Sequence, residues 1–92
     1  VELIRLRSGR LLLVYNPSMH RRTPLTAALS EDGGRTWKWR RNLAGGDDSF
    51  AYPSAVQTPD GRIHVVYTSD GRKVVRRAVF READIMETAE GR

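Results

Sequence analysis

The 92-residue chain has no cysteine and only four prolines, and aromatic side chains make up just 8% of it. Without cysteine, disulfide staples and thiolate zinc sites are excluded within this stretch. The compartment stays open, since secreted and periplasmic proteins also dispense with cysteine. No apolar run approaches the roughly 20 residues that span a bilayer, and no charged leader followed by an apolar segment marks a signal peptide; a membrane is not expected among the partners. Nor is there an initiator Met: the chain opens on Val1-Glu2-Leu3-Ile4, already reading as a strand, so it is expected to be a piece of a longer protein. What is present is a basic balance, a formal charge of +5, with 39% hydrophobic residues, enough for a modest core. Charge alone does not choose among nucleic acid, anionic lipid and an acidic substrate.

The strongest pattern is an internal repeat. Gly9-Arg10-Leu11-Leu12-Leu13-Val14-Tyr15 aligns with Gly61-Arg62-Ile63-His64-Val65-Val66-Tyr67 at an offset of 52 residues, identical at four of seven positions. A period near fifty belongs to the blades of a β-propeller. In each copy an extended run meets a glycine turn, Arg7-Ser8-Gly9 or Pro59-Asp60-Gly61, and an apolar run follows, which predicts a hairpin. Strands are expected at 2–7, 10–15, 25–30 and 37–42 in the first copy, and at 52–57, 62–68 and 73–80 in the second, all rich in the β-branched, aromatic and apolar residues of half-buried sheets. The fold class predicted is all-β, about two blades of antiparallel four-stranded sheet. Residues 1–51 form one blade, 52–80 a partial following blade, and 81–92, with helix-favouring Arg81-Glu82-Ala83-Asp84-Ile85-Met86, a terminal helix or a tail. Two blades do not close a ring, so the remainder of the propeller is an expected partner.

Between the third and fourth strands lies Ser30-Glu31-Asp32-Gly33-Gly34-Arg35-Thr36-Trp37, which matches the Asp-box pattern Ser-x-Asp-x-Gly-x-Thr-Trp at every specified position. Each residue type has a physical task. The Asp32 carboxylate accepts hydrogen bonds from loop N–H groups and the Thr36 hydroxyl, Gly33 and Gly34 supply positive φ, and Trp37 is expected to turn inward between sheets. Ser30, Asp32, Gly34, Thr36 and Trp37 are thus assigned a structural role.

Antiparallel strands alternate direction, so successive loops leave on opposite ends of a sheet. The glycine turns and the Asp box share one end. The other gathers the loop 16–24 with His20, Arg21 and Arg22, the connection 43–51 with Asp47 and Asp48, then Tyr52, and Ser69, Asp70 and Arg72 from the second copy. Polar loops at one end of a rigid scaffold are the usual place for a site. An Arg guanidinium holds a carboxylate through two parallel hydrogen bonds, and a Tyr is a neutral nucleophile beside it.

On these residues the chain resembles the sialidase (neuraminidase) family, and most closely its BNR-repeat branch, over residues 2–80. Arg22-Thr23-Pro24-Leu25 ahead of the Asp box looks like the segment that carries an Arg of the family's carboxylate-binding triad. Ala51-Tyr52-Pro53-Ser54 looks like the segment that carries its nucleophilic Tyr. The resemblance implies a six-bladed propeller, no metal and no cofactor, with Tyr52 catalytic and Arg22 binding the substrate carboxylate. It also implies an acid/base Asp, a Glu that activates the Tyr, and two further Arg residues upstream of this chain. Pro53 departs from the family, which has Ser there.

The activity implied is exo-hydrolysis of terminal sialic acid, or a related acidic sugar, from glycoconjugates, the isolated chain being inactive. The competing expectation is a non-enzymatic Asp-box propeller that binds glycans or proteins. Nucleic acid is not expected as a partner: Lys38, Arg40, Arg41, Arg76 and Arg77 alternate between sheet faces and form no single groove. Arg21, beside Arg22, is the alternative clamp, while Tyr15, Tyr67 and Trp39 read as scaffold.

Overall fold

The computed structural model describes residues 1–17, 23–45, 50–69 and 74–90, with side chains to 87. Seven strands and one helix follow in order: β1 (Glu2–Arg5), β2 (Leu11–Tyr15), β3 (Leu25–Ser30), β4 (Trp39–Ala44), β5 (Ala51–Gln57), β6 (Ile63–Ser69), β7 (Val74–Phe80) and α1 (Glu82–Glu90). They make two antiparallel sheets, β1-β2-β3-β4 and β5-β6-β7, each a meander of neighbours in sequence. This is the all-β, blade-like architecture that the repeat predicts.

The repeat is visible bond by bond at the two glycine turns. In the first, the Leu6 N–H donates to Arg10 O at 2.8 Å and the Gly9 N–H to Leu6 O at 3.0 Å; in the second, the Thr58 N–H donates to Arg62 O and the Gly61 N–H to Thr58 O, both at 2.9 Å. The side-chain bonds match too. The Arg10 N–H meets Ser8 Oγ where the Arg62 N–H meets Asp60 Oδ1, and Arg5 reaches Gly9 O where Gln57 reaches Gly61 O. Gly9 and Gly61 have φ of 95° and 90°, which a residue with a Cβ rarely adopts. These turns close at Leu6 and Thr58, so β1 stops at Arg5, earlier than the expected residue 7.

Alternation along the strands builds one core between the sheets. From the first come Leu12, Val14, Leu25, Ala27 and Leu29, and from the second Ile63, Val65, Tyr67 and Phe80. Complete burial of such an aliphatic side chain stabilises the fold by about 1.5–3 kcal/mol. Hydrogen bonds join the sheets along their first strands: the Ala55 N–H donates to Glu2 Oε2 at 3.0 Å and the Arg7 N–H to Gln57 Oε1 at 2.8 Å.

The helix follows β7 and packs on β4 and β3 of the first sheet. Its start is capped by the Asp84 carboxylate, which accepts from the Arg81 N–H at 2.8 Å. Ile85 enters the core, fully buried. Glu82 reaches back to the first turn, accepting from Ser8 Oγ at 2.9 Å and pairing with Arg10 at 3.1 Å. Among the described residues no helix is long and apolar enough to cross a membrane.

One expectation is corrected. The tryptophan buried between the sheets is Trp39, 6% exposed, whereas Trp37 is only half-buried. Residues 36–38 precede the ladder, which begins where Trp39 pairs with Leu29, so β4 starts at 39 and not at 37. Trp39 therefore takes the inward position, with the Arg10 guanidinium 5.6 Å and the Lys38 ammonium 4.9 Å from its ring centroid.

Candidate functional site

The two ends of the first sheet have different chemistry. At one end the Asp box is a closed knot of hydrogen bonds around Ser30 and Asp32. The buried Ser30 hydroxyl donates to Asp32 Oδ1 and accepts from the Gly34 N–H, both at 2.8 Å, while Asp32 accepts from the Thr36 N–H at 2.9 Å and from its hydroxyl at 2.5 Å. Gly33 and Gly34 turn the loop with φ of 78° and 96°, and the half-buried Trp37 ring passes close to Gly34. The Thr36 hydroxyl, then the Thr36 N–H, then the Ser30 hydroxyl hold the Asp32 carboxyl well below the usual carboxylate range. With these donors on it, the carboxylate has little capacity left for chemistry.

The far end of the sheet lies about four residues along β2, roughly 13 Å away at strand rise. There Val1, Asn16, Ala51, Tyr52 and Pro53 line an open cleft of about 260 Å³, smaller than the roughly 300–1,000 Å³ of small-ligand pockets. Asn16 donates through Nδ2 to Pro24 O at 3.1 Å, tying the end of β2 to the approach of β3.

Tyr52 is the unusual residue of this cleft. It has φ of +52°, the only positive value away from glycine among the described residues, and it is 62% exposed. The cause is a bulge. Ala51 pairs with Thr68 but the next rung joins Ser54 to Val66, so three steps on β5 answer two on β6, and Tyr52-Pro53 hold the extra residue. Proline suits this place because a bulge frees a strand residue from donating to the ladder. The bulge is pinned by the Thr68 hydroxyl, which donates to Ala51 O at 3.1 Å, and by Phe50, buried edge-on against Tyr67 with ring centroids 5.8 Å apart. A bulky residue in the left-handed region is strained, and such strain collects where a side chain must be presented in one direction.

Of the other residues expected at this end, Arg22 lies outside the described residues, as do His20, Arg21, Asp47, Asp48, Asp70 and Arg72; Thr23, next to Arg22, stands at the cleft end of β3. Ser69 is corrected: it is the last residue of β6, fully buried, and its hydroxyl accepts from Arg76 Nε at 2.9 Å. Asn16 and Phe50 lie in the two segments expected at this end, 16–24 and 43–51, without being singled out there, and the bulge was missed by sequence reasoning. The one available signal was Pro53 inside a strand pattern. Among the described residues no three or more His, Asp or Glu side chains come together to hold a metal ion.

Compared with known proteins, the BNR repeat-like domain family matches residues 1–65, a segment that contains both the Asp box and the Tyr52 bulge. No curated protein and no solved structure matches the chain.

Proposed function

The chain belongs to the BNR repeat-like domain family, and from that premise we propose that it supplies part of the active site of an exo-acting, sialidase-type glycoside hydrolase. The substrate in this reading is a glycan ending in sialic acid or a related acidic sugar. The observation that supports it best is the bulge that presents Tyr52, exposed, to a cleft at the end of the sheet opposite the Asp box. Tyr52 is the nucleophile and Arg22 the clamp on the substrate carboxylate.

The chemistry favours this choice of residue types. Sialic acid carries its carboxylate on the anomeric carbon, so an attacking Asp or Glu would meet like charge at close range, whereas a phenol does not. The phenol gives its proton to a base as its oxygen bonds the anomeric carbon. The glycosidic bond breaks, the leaving alcohol takes a proton from an acid, and water then displaces the tyrosine. In this reading the acid and the base are supplied by residues other than these 92.

The test compares Tyr52→Phe and Arg22→Ala in a protein that carries this chain within a complete ring, with a fluorogenic sialoside as substrate. Tyr52→Phe keeps the ring and removes the hydroxyl, so turnover should collapse while a sialic-acid analogue still binds. Arg22→Ala should weaken binding of that analogue by about 2–4 kcal/mol, the value of a desolvated charge-assisted pair. Near-normal turnover by Tyr52→Phe would reduce Tyr52 to scaffold. A ring that binds the analogue but never hydrolyses the sialoside would favour a non-enzymatic glycan-binding propeller.

A further inference from the structure

We propose that Thr68 is a positioning residue for the reaction: through one hydrogen bond to the backbone of the bulge, its hydroxyl sets the direction in which the Tyr52 phenol enters the cleft. The inference rests on the glycosidase reading of Tyr52. Thr68 stands on β6 opposite Ala51, the last rung before the pairing jumps to Ser54 and Val66. Its hydroxyl donates to Ala51 O at 3.1 Å. That oxygen belongs to the planar peptide group that joins Ala51 to Tyr52, so the bond holds the plane from which the Tyr52 side chain departs. Thr68 does not itself line the cleft, and it acts on the reaction only through Tyr52.

Between that plane and the Ser54 rung the chain takes up one extra residue, and few torsions are free to absorb it. Proline locks φ of residue 53 near about −65°. The turn therefore falls on Tyr52, whose φ of +52° is one that a bulky side chain rarely adopts. Released from Thr68, the Ala51–Tyr52 peptide is free to rotate towards negative φ, and the phenol swings with it. The repeat shows that this bond is not a general need of the scaffold. The equivalent of Thr68 in the first sheet is Asn16, 52 residues earlier, and its side chain donates the other way, to Pro24 O at the approach of the following strand. Thr68 turns back to the preceding strand, the one that carries Tyr52. Nucleophilic attack needs the oxygen within about 3–3.5 Å of the carbon and aligned with the breaking bond, and a displacement of about 1 Å costs on the order of 100-fold in rate.

Two measurements test it, one of them independent of the reaction. In the 92-residue chain, the urea midpoints of Tyr52→Gly and Tyr52→Ala are compared with Thr68 present and in a Thr68→Val background, or Thr68→Ala if that variant does not fold. If the hydroxyl holds the left-handed backbone, the advantage of glycine over alanine should shrink by about half or more without it, the coupling expected of groups in contact. An advantage that is absent with Thr68 present, or unchanged without it, would overturn the proposal. In a protein that carries this chain within a complete ring, Thr68→Val should lower kcat on the fluorogenic sialoside about 10–100-fold and leave KM and the affinity for a sialic-acid analogue within about twofold. Thr68→Ser keeps the hydroxyl and should return kcat to within about threefold of the unaltered protein. Added to Tyr52→Phe, Thr68→Val should cost nothing further, because it acts through the phenol. Normal kcat in Thr68→Val beside collapsed turnover in Tyr52→Phe would overturn the positioning role and leave the glycosidase reading standing. A Thr68→Ser variant as slow as Thr68→Val would make Thr68 a packing residue. Near-normal turnover by Tyr52→Phe would overturn the glycosidase reading, and the positioning role with it.

Discussion

Leu29 and Val79 occupy the same rung of their two sheets, opposite Leu12 and His64, yet Leu29 is fully buried and Val79 is 45% exposed. The difference comes from layering: the inner face of the first sheet is covered by the second, whereas among the described residues the second sheet's outer face stays largely open.

Leu29→Ala should therefore cost about 2–5 kcal/mol, whereas Val79→Ala should stay within about 0.5 kcal/mol. Urea midpoints at constant m-value report both. Equal costs would mean that the outer face of the second sheet is covered within a single chain.

The two tryptophans should separate in the same way. Trp39 is in the core with Arg10 and Lys38 over its ring, and Trp39→Ala should lose about 3–5 kcal/mol. Trp37 is half-buried ahead of the ladder, and its truncation should cost distinctly less. Thermal unfolding of the two variants, followed by circular dichroism, orders them.

The Asp box should make stability depend on acid. Hydrogen bonds from Thr36 and Ser30 depress the folded pKa of Asp32, and the Thr58 hydroxyl and then the Arg62 N–H depress that of Asp60. An unfolded aspartate titrates near ~3.9, so both groups stabilise the fold fully above about pH 4, and the contribution is lost as pH falls below that towards the folded values. Asp32→Ala should lower the melting temperature at pH 7, and the gap to the unaltered chain should narrow below about pH 4. In a complete ring the same substitution should leave turnover by the folded fraction nearly unchanged, since the knot lies at the end away from Tyr52. A gap that widens in acid would contradict the depressed pKa.

At the bulge, the left-handed conformation of Tyr52 penalises any Cβ. Tyr52→Gly should be more stable than Tyr52→Ala by about 0.5–1 kcal/mol, the strain relieved less the extra backbone entropy of glycine. Chemical denaturation of the pair measures it. Equal stability would mean that the backbone relaxes out of the left-handed region once the phenol is gone.

Much of this was legible in the sequence for local reasons. The glycine turns and the Asp-box knot depend on neighbours in the chain, so residue types alone specify them; which face of the unbroken apolar run Leu11–Tyr15 turns inward does not, since Val14 is buried and its repeat equivalent Val66 is exposed. The repeat of 52 residues, with antiparallel connectivity, also determined that Tyr52 and the Asp box stand at opposite ends. What tertiary structure decided is register and cover. That Trp39 and not Trp37 turns inward depends on which residue first pairs with Leu29, and the Tyr52 bulge depends on β5 and β6 pairing Ala51 with Thr68 but Ser54 with Val66. The burial of Leu29 against the exposure of Val79 depends on which sheet lies above. Two strands of the same pattern pair equally well in neighbouring registers until the packed layer makes one of them lower in free energy.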